Sequence, residues 1–187
     1  MEKIVRFLIV CTACIPSVLW ADDNSKYLAG AVPEVEGRVI FTKEFDLQGE
    51  DQNSIFERMN SWLDNKMKEN NNGSRVVLAD KEKGQIVATS EEYMVFADKA
   101  LTFDRTLFYY NITAFCTQGK CKIQIERIRY KYGTEKFIAE QTITDSKALN
   151  KKKTSIFRGY KKFRIHTIDF VDDLFKEVGI ILSDKNR

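Results

Sequence analysis

The stretch that decides the fold runs from Arg105 to Tyr132 and reads RTLFYYNITAFCTQGKCKIQIERIRYKY. A short polar loop containing Gly119 divides it into two runs in which apolar and polar residues alternate, as in half-buried strands. When Cys116 is placed opposite Cys121 across this loop, the apolar positions of both runs fall on one side. The coinciding positions are Phe108, Tyr110, Ile112, Ala114 and Cys116 on the first run and Cys121, Ile123 and Ile125 on the second. This register predicts an antiparallel hairpin with both thiols on its inner face.

Past the middle of the second strand the alternation changes parity, because Ile128, Tyr130 and Tyr132 occupy the opposite set of positions. A β-bulge near Glu126 and Arg127 would shift the strand by one residue and return these side chains to the inner face. Alternatively, both faces of the sheet are covered along this part of the strand. The sequence leaves the two explanations open.

Further strands are predicted on both sides of this hairpin. The alternating run that begins at Gly37 predicts an early strand, and a last short strand is expected over residues 136–142. Short connections between the strands require antiparallel neighbours. The segments predicted between the early strand and the hairpin are the strand 75–80, the turn 81–84, the strand 85–97 and the connection 98–104.

The first of two predicted helices follows the early strand. Ser54 is predicted to cap it, with Glu57 three residues later as in a capping box, and Gly73 is predicted to end it. Its apolar face repeats at helical spacing, which is typical of a helix packed on a core. The face consists of Ile55, Met59, Trp62, Leu63 and Met67.

The second helix closes the chain and is predicted to begin near Thr167 or Asp169 and to stop at Gly179. Residues 143–165 before it are predicted to be irregular, with a helical turn over 146–150 as an alternative. Its apolar face consists of Phe170, Val171, Leu174, Phe175 and Val178. Together the elements predict an α+β fold of two layers, in which two helices pack on one face of an antiparallel sheet. The predicted order is strand, helix, four or five strands, helix.

The first 21 residues have the pattern of a secretory signal peptide. Lys3 and Arg6 precede an apolar run over residues 7–20, and Ala21 supplies the small residue of a cleavage site. This run is shorter than the roughly 20 apolar residues needed to span a bilayer, which favours cleavage over an uncut anchor. A third interpretation is a lipoprotein, with the lipid attached at Cys14. The predicted organisation is a signal peptide at 1–21, an extended lead-in at 22–36, a single domain at 37–182 and a tail at 183–187.

Export would place the protein in the periplasm or cell envelope and set the redox environment of its cysteines. Cys11 and Cys14 lie in the predicted leader and would be lost when it is cleaved. Cys116 and Cys121 remain, and an even pair in an exported domain predicts a disulfide bond, which the hairpin register also favours. The alternative is a pair of free buried thiols.

Several segments resemble a known family. They are YLAGAVPEVEGRVIF at 27–41, ITD at 143–145, ALNKKK at 148–153, RGYKKFR at 158–164 and TID at 167–169. Together they resemble a family of exported bacterial proteins of unknown function with a TBP-like fold, named after the half-domain of the TATA-binding protein. The resemblance implies the fold and a location in the envelope. It implies no activity, no catalytic residues and no DNA binding, because function does not follow from a shared fold.

The residue types needed for catalysis or cofactor binding are sparse. His166 is the single histidine, and no residue near it in the sequence would orient it as a base. One histidine and two cysteines do not supply a usual zinc site, and no glycine-rich phosphate loop is present. Adjacent carboxylates such as Glu91 and Glu92 point to opposite sides of a strand. We therefore predict no catalytic residues, no metal and no cofactor.

One surface stands out by its charge. The segment from Lys147 to Arg164 contains no Asp or Glu and interleaves its cations with Phe157, Tyr160 and Phe163. Such a segment is predicted to bind an acidic glycan, another polyanion or lipid headgroups. The alternative is a solvated loop whose aromatic residues pack inward. The candidate anion-binding residues are Lys147, Lys151, Lys152, Lys153, Arg158, Lys161, Lys162 and Arg164.

These patterns favour an exported binding module without catalytic activity. Its partner would be an envelope protein, an acidic glycan or a lipid headgroup, and not nucleic acid, because export removes the protein from the cytoplasm. The formal net charge of +3 is also too small for general polyanion binding. One alternative is a structural or accessory subunit of an envelope assembly. Another is an enzyme that uses carboxylates.

Overall fold

A computed structural model of the chain describes residues 24–70, 73–99 and 102–184. The predicted leader therefore lies outside the described residues. The strands are β1 (Glu34–Val35), β2 (Arg38–Asp46), β3 (Arg75–Asp80), β4 (Gln85–Lys99), β5 (Thr102–Thr117), β6 (Lys120–Tyr132) and β7 (Glu135–Ile138). The α-helices are α1 (Gln52–Asn70), α2 (Asp145–Ala148) and α3 (Arg158–Ser183), and 3-10 helices form at Asn24–Tyr27 and Ala139–Gln141.

The strands form one antiparallel sheet in the order β1-β2-β6-β5-β4-β3, and β7 pairs with β6. The hairpin of β5 and β6 lies at its centre. Cys116 stands opposite Cys121, and Ile112 stands opposite Ile125, so the predicted register is confirmed. The alternating apolar residues of this hairpin fix the register because a slip of one residue would expose all of them.

A β-bulge explains the change of parity in β6. The register shifts so that Arg127 and Ile128 oppose the single residue Tyr110 on β5. Arg127 adopts a φ of +56°, which lies in the left-handed region. The extra residue returns Ile128 and Tyr130 to the buried face, as one of the two sequence explanations predicted. It also marks the point where β6 exchanges its partner β2 for β7.

The two long helices pack on one face of the sheet and enclose the core. All five residues of the predicted stripe on α1 are buried, and Trp62 donates a hydrogen bond to Glu177 of α3 at 2.7 Å. The α3 side chains that join the core include Phe163, Ile168, Val171, Leu174, Phe175 and Val178. The predicted α+β architecture of two layers is confirmed. None of the helices in the described ranges is long and apolar enough to span a bilayer.

The start of α1 differs from the prediction. Asp51, and not Ser54, is the capping residue, because its carboxylate accepts hydrogen bonds from the backbone N–H of Ser54 at 3.0 Å and from the Ser54 hydroxyl at 2.7 Å. These bonds lower the pKa of Asp51. Ser54 thus lies inside the first turn, and the helix begins three residues earlier than predicted, at Gln52.

The last helix is much longer than predicted. It begins at Arg158, so the segment predicted to be irregular contains its first two turns. Phe163, Arg164 and Thr167 are buried at helical spacing, but two of these are polar, which hides the periodicity in the sequence. Gly179 does not end the helix either. It lies within α3 where a Cβ atom would come within 3.4 Å of the Phe45 ring.

Three smaller boundaries also differ. Strands β4 and β5 extend through most of the predicted connection, and β7 ends at Ile138 before a 3-10 turn. The predicted lead-in is part of the domain. Its 3-10 helix packs against α3, because the Tyr27 hydroxyl donates to Asp169 at 2.9 Å, and its strand β1 pairs with β2.

Candidate binding surfaces

The open face of the sheet, the face opposite α1 and α3, carries the outward-pointing residues of β2 to β6. They alternate along each strand with the buried inner positions. In one row across three strands, Glu91 lies opposite Tyr109 and Tyr109 lies opposite Arg129. Aromatic and cationic side chains therefore meet on this face as cross-strand neighbours.

Cations stack on aromatic rings at several places on the open face. The distances from cation to ring centre are 3.8 Å from Arg105 to Tyr93, 4.7 Å from Arg105 to Phe103, 5.3 Å from Arg129 to Tyr109 and 4.8 Å from Lys122 to Phe115. All lie within the range of a cation–π contact. The Tyr93 side chain is nevertheless 49% exposed, so the ring remains available to a ligand.

Tyr109 on this face stays neutral in water. Burial raises the pKa of Tyr109, and the nearby Glu91 raises it further, while Arg129 acts in the opposite direction. Tyr109 therefore keeps its hydroxyl proton and can donate a hydrogen bond as well as offer its ring face.

The edge of the open face is concave beside the bulge of β6. A cavity of about 450 Å³ lies where β6 changes partner, and its walls include Arg38, Arg127 and Arg129. The carboxylate of Glu140 closes one side by accepting a hydrogen bond from the Val39 backbone N–H at 2.9 Å. The cavity is thus lined by three arginines and by two carboxylates, Glu126 and Glu140.

The basic arm, residues 147–161, forms the other predicted surface. It leads from α2 to the first turn of α3 and keeps most of its cations in solvent. Lys153 is also tied to the fold, since its Nζ lies 3.6 Å from an oxygen of Asp145. The exposed cations of the arm are Lys147, Lys151, Lys152, Lys153, Arg158 and Lys161. Anion binding by these residues remains a prediction.

Arg164 does not belong to that exposed set. Its side chain is fully buried and donates hydrogen bonds to the carbonyls of Tyr27 at 2.6 Å and Ile143, and to Asp145 at 2.7 Å. The pKa of Asp145 is lowered despite its burial, because the Gly30 N–H and the Arg164 guanidinium stabilise its charge. Arg164 is thus a structural residue, which corrects its assignment to an anion-binding surface.

Lys162 is likewise committed to the fold. Its Nζ pairs with Asp104 at 2.9 Å and lies 3.9 Å from the centre of the Tyr132 ring. Although burial alone would lower it, the pKa of Lys162 is raised by Tyr132 and Asp104. This ion pair joins the tip of the β4–β5 hairpin to the start of α3, so Lys162 is also removed from the exposed set.

A groove of about 950 Å³ runs along α1 beside the end of α3. Two ion pairs lie along it: Lys66 pairs with Glu177 at 2.8 Å, and Arg58 pairs with Glu50. These pairs bind α1 to the rest of the domain. Asp51 and Glu69 also line the groove, so its surplus charge is negative and opposes an acidic ligand.

The two cysteines are free thiols in this structure. Both are buried, and their Sγ atoms lie 4.0 Å apart across the β5–β6 hairpin. The pKa of Cys121 is raised because its sulfur interacts with Cys116 and lies away from water. The predicted register is present and the disulfide bond itself is not, so the bond remains a prediction.

His166, for which the sequence predicts no catalytic role, lies on α3. His166 packs edge-on against Phe96, with ring centres 5.2 Å apart. Burial lowers the pKa of His166, and Asp169 and Asp104 offset part of that effect. No group of three or more His, Cys, Asp or Glu residues within the described part of the chain is placed to hold a metal ion.

The sequence indicates only part of the open face. Tyr93 and Arg105 lie in two predicted strands, but a bulge between Val95 and Ala97 sets the register that brings them together, and the sequence does not indicate this bulge. Phe115 and Lys122 do carry a signal, since the predicted register already places them opposite each other. The register of the strands, more than their residue types, therefore limits what the sequence reveals of this face.

Comparison with known proteins identifies one family. A family model described as a domain of unknown function (DUF4468) with a TBP-like fold matches residues 41–131. The chain is similar to the crystal structure of a DUF4468 family protein from Bacteroides ovatus ATCC 8483, with 46% identity and a TM-score of 0.84. That similarity covers 88% of this chain and 98% of the other.

A second solved structure shares the fold. The crystal structure of a TBP-like protein from Parabacteroides distasonis ATCC 8503 is 22% identical and superposes with a TM-score of 0.70. It covers 82% of this chain and 97% of the other chain. Comparison with curated proteins gives no match. These similarities confirm the predicted TBP-like fold.

Proposed function

We propose that this chain, which belongs to the DUF4468 family of domains with a TBP-like fold and unknown function, is an exported binding module of the cell envelope without catalytic activity. The proposed ligand is an acidic glycan, held on the open face of the sheet. The observation that carries this proposal is the set of cations stacked on exposed and half-buried aromatic rings across β4, β5 and β6.

The arrangement of the rings suits an extended ligand. Tyr93 lies opposite Leu107, two residues from Tyr109, so the two tyrosines are diagonal neighbours on adjacent strands. Such neighbours are roughly 7–8 Å apart. Aromatic faces attract the polarised C–H groups of a sugar ring, because the face of the ring carries partial negative charge. Two rings at this spacing offer a platform to consecutive units of a chain.

The charges favour an acidic ligand over a neutral one. Arg105, Arg129 and Lys122 each present a cation beside a ring, and Lys131 follows in the next row of β6. Arginine forms paired hydrogen bonds with carboxylates and sulfates, which adds specificity to the attraction. A glycan that carries such groups can therefore stack and pair on the same surface.

The carboxylates of the open face are not placed for acid–base catalysis. Glu91 lies on β4 and Glu126 on β6, so β5 separates them. Strand spacing alone puts positions on alternate strands about 10 Å apart. Neither side chain faces the other across a pocket, whereas acid–base catalysis requires groups that converge on one substrate atom.

The test is binding of polygalacturonate, a carboxylated glycan, to the chain without its predicted leader. We expect measurable affinity that weakens with added salt, since exposed charges are screened. Replacing Tyr93→Ala and Arg105→Gln together should raise Kd at least tenfold, about 1.4 kcal/mol, because it removes one ring and one cation. Calorimetry at two salt concentrations measures both effects.

The matched control replaces an aromatic residue and a cation away from the open face, in Phe157→Ala with Lys161→Gln. This variant should bind polygalacturonate as the unaltered chain does. Equal losses in the two variants would assign the binding to general charge and refute the open-face site. Equal affinity for neutral dextran would refute the acidic ligand, and equal affinity for an oligonucleotide would refute the choice of a glycan.

A second candidate function is an accessory subunit of an envelope assembly. In the described sheet β3 lies at one edge, and its side chains Val77 and Leu78 are 50% and 43% exposed. Exposed apolar residues on an edge strand are suited to pairing with another chain. Co-purification of one envelope protein at fixed stoichiometry, lost in Val77→Lys, would favour this function over the first.

A further inference from the structure

The geometry points to a second role that is independent of the open face: we propose that the basic arm, residues 147–161, docks the protein on an anionic lipid bilayer. The cations of the arm would bind lipid phosphate groups, and its aromatic side chains would enter the headgroup region. In the folded protein the cations and two of the aromatic side chains are exposed together.

The arm is ordered before any ligand binds. The backbone N–H of Thr154 donates to the side-chain oxygen of Asn150 at 2.9 Å, and the N–H of Lys153 donates to the Asn150 carbonyl at 2.8 Å. A bridge between Leu149 and Ile156 closes the base of this turn. Lys151 and Lys152 therefore project from a fixed turn, which reduces the entropy lost on binding.

The charge of the arm is not neutralised by its own sequence. No Asp or Glu occurs from Lys147 to Arg164. The acid next to the arm, Asp145, is already held by Arg164, by the Gly30 N–H and by Lys153. The remaining cations of the arm thus form a surface of one sign, and a surface of this kind is attracted to anionic lipids.

Two exposed aromatic residues distinguish a bilayer from a soluble polyanion. Phe157 is 50% exposed and Tyr160 is 37% exposed, and both lie among the cations at the start of α3. Interfacial segments combine basic residues with aromatic rings in this way, because the rings enter the boundary between headgroups and acyl chains. A dissolved anion would gain little from an exposed phenylalanine.

The orientation on the bilayer would leave the proposed glycan site accessible. The arm is attached to α2 and α3 on the helical side of the sheet, and the open face lies on the opposite side. The Lys162–Asp104 ion pair holds the start of α3 against the sheet. A docked protein could therefore present its open face away from the lipid.

The test is sedimentation of the leader-free chain, which contains every element of the described fold, with vesicles of phosphatidylglycerol and phosphatidylcholine at 3:7. We expect binding to these vesicles and none to pure phosphatidylcholine. Replacing Lys151→Gln and Lys152→Gln should weaken binding by roughly 25-fold, taking about fivefold for each lysine near the surface. Phe157→Ser should weaken it severalfold with no change of charge.

The control Lys68→Gln with Lys176→Gln removes the same charge from exposed positions on α1 and α3, each in a surface ion pair. It should bind the mixed vesicles as the unaltered chain does. In a further measurement, the fluorescence of Phe157→Trp should shift to shorter wavelength with the mixed vesicles. Absence of that shift, equal losses in control and arm variants, or no vesicle binding would each overturn the proposal.

The outcomes separate this role from the proposed glycan site. Tyr93→Ala with Arg105→Gln should leave vesicle binding unchanged, and the arm variants should leave polygalacturonate binding unchanged. Displacement of the protein from vesicles by polygalacturonate, together with unaltered binding of Phe157→Ser, would mean that the arm recognises any polyanion, and the lipid assignment would fail.

Discussion

The guanidinium of Arg164 joins three segments that are distant in sequence. It donates to the carbonyls of Tyr27 and Leu28, each at 2.6 Å, as well as to Ile143 and to the carboxylate of Asp145. A buried charge is tolerated when its donors are satisfied, and its loss leaves the partner charge uncompensated. Arg164 therefore holds the N-terminal segment and α2 against α3.

We predict that Arg164→Met destabilises the fold by roughly 3–5 kcal/mol, the range found when one partner of a buried ion pair is removed. Methionine fills most of the same volume, so the loss reports on the hydrogen bonds and charge. Urea unfolding followed by circular dichroism measures the free energy of unfolding. Arg158→Met, at an exposed position of the same helix, should change it by less than about 0.5 kcal/mol.

The ion pair of Arg164 and Asp145 contributes to the pH dependence of stability. The pKa of Asp145 is lowered in the folded state, so its contribution is fully present above the ordinary aspartate pKa of about 3.9 and is lost as the pH falls through the folded value. Asp145→Asn should therefore flatten the acid limb of the stability curve. An unchanged acid limb would contradict a stabilising charge at Asp145.

Arg164 also shows why the sequence identifies the candidate surface only in part. Eight cations lie between Lys147 and Arg164 with no acid among them. The neighbouring residues in the sequence do not distinguish the cations that are buried from those that are exposed to water. Two of the four hydrogen-bond partners of Arg164, the carbonyls of Tyr27 and Leu28, lie more than 130 positions earlier. Burial of a charge is thus decided by tertiary partners, which periodicity does not reveal.

At the scale of elements, the β5–β6 hairpin places two thiols within reach of each other. The backbone N–H of Cys116 donates to Gly84 on the β4 side, so Cys116 and Cys121 form a pair without hydrogen bonds between them. Such pairs have Cα atoms about 4.5 Å apart, at the short end of the range found in disulfides. A modest movement of the side chains would join the two sulfur atoms.

We predict that the exported protein contains this disulfide. Under denaturing conditions, alkylation followed by mass spectrometry should find no reactive thiol at Cys116 or Cys121 until a reductant is added. Denaturant is needed because burial and the raised pKa of Cys121 slow its reaction in the folded state. The bond should stabilise the fold by up to about 2 kcal/mol, given the short loop that it closes.

Protein produced in the reducing cytoplasm serves as the matched control. It should show two thiols and a lower free energy of unfolding, and oxidation in vitro should raise that energy. Two alkylated thiols in freshly isolated exported protein, without reductant, would contradict the prediction. The alternative of free buried thiols would then describe the protein in its own compartment.

The elements could be predicted where the pattern is local and strong. The register at Cys116 follows from alternating residues in two adjacent strands, and the stripe on α1 follows from helical spacing. The start of α3 could not be predicted, because Arg164 and Thr167 occupy core positions as polar residues. β6 pairs first with β2 and then with β7, which are far apart in sequence. The sequence of β6 therefore predicts the bulge but not the change of partner.

At the scale of the whole molecule, the N-terminal segment and the basic arm meet on the same part of α3. Lys26 pairs with Asp169 at 2.6 Å, and Tyr27 and Leu28 accept hydrogen bonds from Arg164. Arg164 lies six residues from the start of α3, a rise of about 9 Å along the helix. The N-terminal segment is therefore attached to α3 close to the proposed lipid-binding surface.

Cleavage of the predicted leader decides how the protein associates with a membrane. We predict that mass spectrometry of the exported protein finds a chain that begins near Asp22, because Ala21 supplies the small residue that signal peptidases require. Replacing Ala21→Arg should leave the leader attached, and Cys14→Ser should have no effect. In the cleaved protein, membrane association would depend on the basic arm alone and fall with rising salt. A chain beginning at a lipid-modified Cys14 would refute the predicted cleavage, and salt-resistant association lost in Cys14→Ser would assign the anchor to that lipid.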